Sequence, residues 1–430
     1  MKSRGDVKMR HTRDGLRFPQ TLGHWVGGVL ILALVLTLSL LYLAQPSAAK
    51  RARTCYDKLL AGLTSEFNGR GYDVLSPGCS ADYPMAYAMI ASASAIMYQN
   101  TRKDSYLYDA IRNADWLVDN ADLDQEGLIG WGVPIEVTSG EVSYPASHEY
   151  TITMTFVVQS LLDVVDAIER YRESHQVLSL TAKRDGYREV AKAAVAVVID
   201  KKCFNEYPQG QVAFWYSCTP TDASYEATNI IAMMAGVLQR ISHYVDESDL
   251  AATWCSFADG AVRFLLVKAK QEAQGTLYWD YRLDGTVRCY RQDLVHTGYT
   301  AWGLLFYSEF GGNLAGDIPL ERITRSFAEY SCSETYPLIR FVDRKGSARL
   351  WGAAFQLAVL ARANCQADFV QDAFSRALEL RNEDGLFSFA YDNNSVYVRA
   401  EAATLLALSE YYRYLTRCDN PKLGRGSESS

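Results

Sequence analysis

Helical periodicity runs through this 430-residue chain from residue 54 to 416 in two alternating kinds of segment, and the alternation limits the architecture more than any other feature. Residues 104–120 carry Leu107, Ala110, Ile111, Ala114, Leu117 and Val118 at i, i+3, i+4 spacing, with charges on the other face. That pattern marks a helix with one side in water. Segments 181–202 (Tyr187, Val190, Ala194, Val198) and 366–380 (Phe369, Val370, Ala373, Phe374, Ala377) repeat it. Segments 82–99, 148–172, 223–244, 293–310, 348–363 and 397–415 are instead apolar around most of their circumference, as expected of helices covered on several sides. Placing an amphipathic segment before each (54–67, 104–120, 181–202, 248–273, 317–331, 366–380) predicts about twelve helices in six hairpins. The expected fold is all-α, an (α/α)6 toroid of six inner helices ringed by six outer ones.

Loop lengths give the toroid a polarity. Inner-to-outer connections are short, as around residues 101–103 and Cys365, whereas outer-to-inner ones are long: 121–147, 203–222, 274–290, 332–347 and 381–396. All long loops therefore share one face, where functional residues are expected. Three of them carry a turn followed by a short aromatic strand, ending in Trp131, Trp279 and Phe389.

Ahead of this domain, residues 21–49 contain no Asp, Glu, Lys or Arg and include an apolar run from Trp25 to Ala44, long enough to cross a bilayer. Lys2, Arg4, Lys8, Arg10, Arg13 and Arg17 outnumber the Lys50, Arg51 and Arg53 that follow, which orients the N-terminus to the cytoplasm. The expected layout is a basic cytoplasmic segment 1–22, a transmembrane signal anchor 23–44, a linker 45–53, the toroid 54–416 outside the cytoplasm, and a disordered tail 417–430. A signal peptide cleaved near Ser47-Ala48-Ala49 is the competing expectation, and it exports the domain equally. Nine cysteines in an exported chain are compatible with disulfides. Cys203 with Cys218 is the first-choice pair and Cys55 with Cys79 the second.

A net charge of −7 argues against a nucleic-acid partner, whose phosphates call for a basic surface. The 28 Tyr and 8 Trp suit sugar binding, because pyranose faces stack on aromatic rings, and they equally suit a large aromatic core. No zinc spacing, phosphate-binding Gly loop, Rossmann fingerprint or nucleophile elbow occurs, so neither a metal nor an organic cofactor is expected. Residues Asp122 to Gly127 match the opening of a calcium loop, but Val133 stands where the closing Glu belongs, which favours a plain turn.

The entries to the inner helices resemble one another: Ser147-His148-Glu149-Tyr150-Thr151, Ser224-Tyr225-Glu226-Ala227-Thr228, Val295-His296-Thr297-Gly298-Tyr299, Ala348-Arg349-Leu350-Trp351-Gly352 and Val398-Arg399-Ala400-Glu401-Ala402. In a toroid these starts converge on one cavity. His148, Tyr225, Glu226, His296 and Tyr299 are the candidate catalytic residues. Glu149, Trp131, Asn229, Trp279, Asp293, Arg349, Trp351, Arg399 and Glu401 are the candidate substrate-binding ones. Capping accounts for the Ser and Glu positions but not for the recurring His, Arg, Tyr and Trp. Helix N-termini with two Arg and two His would attract an anionic group, making a uronate-containing glycan a natural ligand. Two chemistries stay open. A lyase would use Tyr or His as base with Arg and Asn229 stabilising the enolate-like charge, and a hydrolase would draw on two of Glu149, Asp222, Glu226, Asp293 and Glu401.

With this hairpin pattern, residues 54–416 resemble the six-hairpin α/α-toroid superfamily of carbohydrate-active proteins, which includes glycoside hydrolases, polysaccharide lyases and sugar epimerases. The segment Arg291-Gln-Asp-Leu-Val-His-Thr-Gly-Tyr-Thr-Ala-Trp-Gly-Leu304 is similar to toroid proteins of bacterial exopolysaccharide assembly. The resemblance implies action on a polysaccharide, by cleavage or modification, in exopolysaccharide biosynthesis or export. Its alternative is a non-catalytic glycan-binding or scaffold subunit of the assembly machinery.

Overall fold

A computed structural model describes residues 47–63, 68–122, 129–139, 142–173, 175, 178–271, 275–283, 292–329, 349–390 and 393–419. The expected transmembrane segment 23–44, the tail beyond 419 and most of the calcium-like loop lie outside the described residues. Within them are twelve α-helices: α1 (Ala48–Gly62), α2 (Pro84–Thr101), α3 (Asp104–Asp119), α4 (Thr151–Arg172), α5 (Leu178–Asp200), α6 (Thr228–Ile241), α7 (Ser248–Lys268), α8 (Leu294–Glu309), α9 (Leu320–Glu329), α10 (Leu350–Arg362), α11 (Ala367–Glu379) and α12 (Val398–Asp419). Each overlaps a segment expected from periodicity, although α1 begins at Ala48, inside the expected linker 45–53. The even-numbered helices close a ring in which α2, α4, α6, α8, α10 and α12 each pack on the next and α12 returns to α2. Odd-numbered helices lie outside that ring, so the fold is the (α/α)6 toroid.

Small residues let the inner helices approach closely. A Cβ at Gly236 of α6 would fall 2.5 Å from the Gly303 carbonyl oxygen, and one at Gly303 of α8 would fall 2.2 Å from that of Ala232, so the two backbones touch. Helices α4 and α7 are long and apolar enough to span a membrane by composition. The apolar window of α4 is 83% buried within the protein, which accounts for its hydropathy without a bilayer.

The long outer-to-inner loops carry four two-stranded antiparallel hairpins: β1 (Arg70–Asp73) with β2 (Ser76–Asp82), β3 (Val137–Ser139) with β4 (Val142–Tyr144), β5 (Phe204–Tyr207) with β6 (Gln211–Phe214), and β7 (Lys270–Gln271) with β8 (Leu277–Tyr278). A repeated set of hydrogen bonds locks these loops to the helix starts. Thr151, first residue of α4, donates its amide to Tyr216 O (3.1 Å) and its hydroxyl to Trp215 O (2.9 Å). Thr228, first residue of α6, makes the same pair to Tyr281 O (3.0 Å) and Asp280 O (2.6 Å). The Leu350 amide of α10 donates to Phe389 O (2.8 Å). Each of these inner-helix starts is thus pinned to the loop of the following hairpin, a rotational repeat that gathers the loops around one mouth.

Among the described residues the disulfide is the first-choice one, Cys203–Cys218, closing a separation of 15 residues. The second-choice pair is absent: Cys55 is buried in α1, Cys79 is exposed on β2, and both are free thiols.

Candidate functional site

Rings from successive helix starts make one continuous belt across the mouth. From His148 the contacts run to Tyr150 (4.9 Å between centroids), Tyr216 (5.4 Å), Tyr225 (4.5 Å), Tyr281 (6.4 Å) and His296 (4.5 Å). They continue to Tyr299 (6.1 Å) and Trp351 (6.4 Å), and the Arg399 guanidinium lies 4.7 Å from the Trp351 ring centre. His148, Tyr225, His296 and Arg399 are therefore linked through one chain of ring contacts, from the entries to α4 and α6 and from α8 and α12, with Arg399 itself buried. His148, Tyr216, Tyr225, His296 and Trp351 are half-buried, while Tyr150, Tyr281 and Tyr299 are buried beneath them. The matched register holds only for the first two entries: His148 and Tyr225 each precede the first helical residue by three, whereas His296 lies inside α8 and Arg349 caps α10. Asp293 caps α8 with its side chain, whereas α4, α6 and α10 begin where the Thr151, Thr228 and Leu350 amides bond to loop carbonyls.

The best-defined chemical unit is at α8. Asp293 caps the helix, its Oδ1 accepting from the His296 amide (2.8 Å) and lying 2.7 Å from His296 Nδ1. Burial alone would raise the Asp293 carboxyl, but the His296 ring, its two hydrogen bonds and the Arg349 charge outweigh it and hold the carboxyl below its usual range. An ionised Asp293 accepts Nδ1–H, which fixes the imidazole orientation and makes Nε2 the proton-accepting nitrogen. Arg349 is half-buried beside this pair with its guanidinium 5.3 Å from the Phe389 ring, and Arg282 lies 4.1 Å over the face of Tyr225. Burial pushes the hydroxyls of Tyr150, Tyr216, Tyr281 and Tyr299 above their ordinary value, so these belt phenols stay neutral.

Several expected site residues serve the packing instead. The indole nitrogens of Trp131 and Trp279 donate to Leu117 O (2.8 Å) and Leu265 O (2.9 Å), both fourteen residues back, so the aromatic loop strands clamp the preceding outer helix and offer no sugar platform. Glu226 is buried and accepts from Asn205 Nδ2 (2.8 Å) and the Tyr207 hydroxyl. Glu401 is fully buried, takes the Phe387 amide (2.8 Å), and burial drives its carboxyl well above the ordinary range, leaving it neutral. Asn229 is buried in the first turn of α6. Tyr299 stands in the belt's wall, 3% exposed, with its hydroxyl 3.9 Å from Met85 Sδ. Arg399 is committed to buried Asp73 through Nε (2.7 Å) and Nη2, so its charge is already met. Asp222 is likewise buried, accepting from Tyr144 (2.7 Å) and Ser217 (2.5 Å). Glu149 is half-buried, its carboxylate seated against Gly130, where a Cβ would fall 2.0 Å away.

Sequence reasoning missed Tyr150, Tyr216, Tyr281 and Arg282. Tyr281 follows Trp279 of the loop signature by two residues, and Tyr216 follows Trp215 directly. The aromatic strands thus carried the signal, with the ring that joins the belt just beyond the conspicuous Trp.

No protein-family model matches the chain, and no curated protein sequence matches it. Solved structures do. An inactive variant of an α-1,6-mannanase from Salegentibacter sp. in complex with α-1,6-mannotriose aligns with a TM-score of 0.56 at 9% identity, over 85% of this chain and 99% of that one. A polysaccharide lyase aligns at 0.54 and 15% identity over 86% and 98%. Cellobiose 2-epimerase from Bacillus thermoamylovorans aligns at 0.56 and 11% identity over 84% and 98%. All are six-hairpin toroids of carbohydrate-active enzymes, and the likeness shows that this chain has their fold.

Proposed function

We propose that the chain is a membrane-anchored, extracytoplasmic enzyme acting on an anionic polysaccharide, and that β-elimination at a uronate is its chemistry. The observation that carries this is the Asp293–His296 pair set in an aromatic belt, with the Arg349 charge acting on Asp293 and Arg282 over Tyr225, two ring contacts along the belt. His296 Nε2 takes the proton from the carbon next to the uronate carboxylate, whose negative charge the two guanidinium groups offset. The electron pair forms the ring double bond, the glycosidic C–O bond beyond it breaks, and the departing oxygen takes up a proton from water. Arginine and histidine need only stabilise and relay charge, so no cofactor enters the step.

A hydrolase would need two carboxylates flanking the scissile bond. Asp222, Glu226 and Glu401 are saturated or buried, and Asp293 is tied to His296. The Salegentibacter mannanase was inactivated by changing two adjacent aspartates, and this chain contains no adjacent aspartate pair. Export is supported by the apolar run 25–44 with its basic N-terminal flank and by the Cys203–Cys218 bond, which persists in oxidising compartments. The commitment of so many carboxylates to internal bonds also favours a second reading, a glycan-binding subunit of a polysaccharide assembly complex.

The test is to incubate the full-length protein with uronate polysaccharides and follow ultraviolet absorbance of the new double bond. We expect absorbance to rise and His296→Ala to lower the rate by roughly 100- to 10,000-fold, the span a positioned general base supplies. New reducing ends without absorbance would point to hydrolysis, and binding without product to the assembly role.

A further inference from the structure

We infer that Gln292 and Thr300 are positioning residues for the elimination proposed above, the reading on which their effect on rate rests. Together they brace the Asp293 cap so that His296 keeps a single tautomer, with Nε2 as its proton-accepting nitrogen. Gln292 directly precedes Asp293, and both Gln292 and Thr300 are fully buried. The Gln292 amide donates to Trp279 O (3.0 Å), and its side-chain Oε1 accepts from the Thr300 hydroxyl (3.1 Å). Thr300, one turn beyond His296 on α8, shares that hydroxyl with His296 O (3.0 Å). Residue 292 is thus tied through its backbone to the aromatic loop strand and through its side chain to α8 itself. Trp279 is in turn fixed to the outer helix α7 at Leu265 O (2.9 Å).

Asp293 sits between these ties, and one of its oxygens does two jobs. Oδ1 accepts the His296 amide (2.8 Å) as the helix cap and lies 2.7 Å from His296 Nδ1, while the Asp293 carbonyl takes the Thr297 amide (2.9 Å). Capping alone is undemanding, since either carboxylate oxygen in reach of the amide would serve. Selecting the tautomer is stricter. A neutral imidazole carries its proton on either nitrogen, and only a carboxylate oxygen facing Nδ1 holds it there and leaves Nε2 as acceptor. A small displacement of the Asp293 backbone would keep the cap and lose that selection, putting the proton on Nε2, where it blocks the base. A threonine hydroxyl bonding back to the carbonyl four residues earlier is ordinary in a helix. The second acceptor, Gln292 Oε1 eight residues earlier in the chain, turns that bond into a brace for the residue ahead of the cap.

Two readouts test this, one of them independent of any substrate. In 15N spectra of full-length protein labelled at histidine, recorded at alkaline pH, the His296 signals are those lost in His296→Ala. Wild type should show one tautomer, protonated on Nδ1. Thr300→Val keeps the shape and removes the hydroxyl, and Gln292→Met keeps the length and removes the acceptor; each should give a mixture of tautomers, while Thr300→Ser should retain the wild-type spectrum. On uronate polysaccharide the two disruptive variants should lower kcat by roughly 10- to 100-fold with KM little changed, and Thr300→Ser should not. If Thr300→Val does not fold, Gln292→Met decides alone. A single Nδ1-protonated tautomer in the disruptive variants overturns the brace, whether or not kcat falls. If wild type cleaves no uronate glycan, the lyase reading falls, and the spectra still decide whether Gln292 and Thr300 set the tautomer.

Discussion

Arg362 is the hub of an ionic cluster at the C-terminal ends of the inner helices, and replacing it measures how firmly that end of the toroid is closed. Its Nε lies 2.9 Å from Glu309 Oε1 and its Nη1 2.8 Å from Glu410 Oε1, while its guanidinium sits 3.9 Å over the ring of Phe306. Its side chain is 7% exposed, Glu410 0% and Glu309 37%. Removing one partner of a buried pair costs about 3–5 kcal/mol. Glu309 can rehydrate and Glu410 keeps Arg413, so Arg362→Met is expected near the lower limit, about 3 kcal/mol. Guanidinium unfolding of full-length protein followed by tryptophan fluorescence reads this as a lower midpoint at constant m. Adding Glu410→Gln should return nothing and lower the midpoint further, because Glu410 still meets the Arg413 charge and its loss leaves that guanidinium without its carboxylate. Burial would raise the Glu309 carboxyl, but Arg362 outweighs it and holds it low. Its contribution is therefore present above the ordinary glutamate range and lost as pH falls through the lowered value, a step Arg362→Met should abolish. A loss below about 0.5 kcal/mol, the worth of a surface pair, would refute the closed, desolvated end.

Other consequences are testable together. Glu401 has a raised folded pKa, so wild-type stability should fall as pH rises through the ordinary glutamate range; Glu401→Gln, which cannot ionise, should gain stability at neutral pH and match wild type in acid, checked by denaturant midpoints across pH. Reducing Cys203–Cys218, or replacing both cysteines by alanine, should cost about 3 kcal/mol for a loop of this length and lower affinity for glycan, since the Tyr216 segment hangs on that bond. Trp279→Phe should lower stability by about 1 kcal/mol through its lost hydrogen bond to Leu265 and leave glycan affinity unchanged, as measured by calorimetry.

The hairpin count was legible because a helix covered on all sides and a helix half in water carry different patterns, as Ile230–Leu238 and Leu107–Val118 do. Helix starts were not. Expected entries at 148 and 223 became Thr151 and Thr228, because the polar residues ahead of them belong to loops bonded to the neighbouring hairpin. Glu226 and Glu401 looked like site carboxylates since their partners, Tyr207 nineteen residues away and the Phe387 amide fourteen away, are invisible to local periodicity. Arg399 looked like an anion binder for the same reason, its partner Asp73 lying 326 residues off. The equal fourteen-residue reach of Trp131 and Trp279 was a repeat present in the sequence, but only the fold shows that it serves packing.

The most direct measurement is a crystal structure of the full-length His296→Ala protein with a uronate oligosaccharide. The account predicts sugars stacked along Tyr216 and Tyr225, with a carboxylate between Arg282 and Arg349 and its neighbouring carbon facing the vacated imidazole position. A ligand bound elsewhere on the toroid, or one at the mouth with its carboxylate turned away from both arginines, would contradict it.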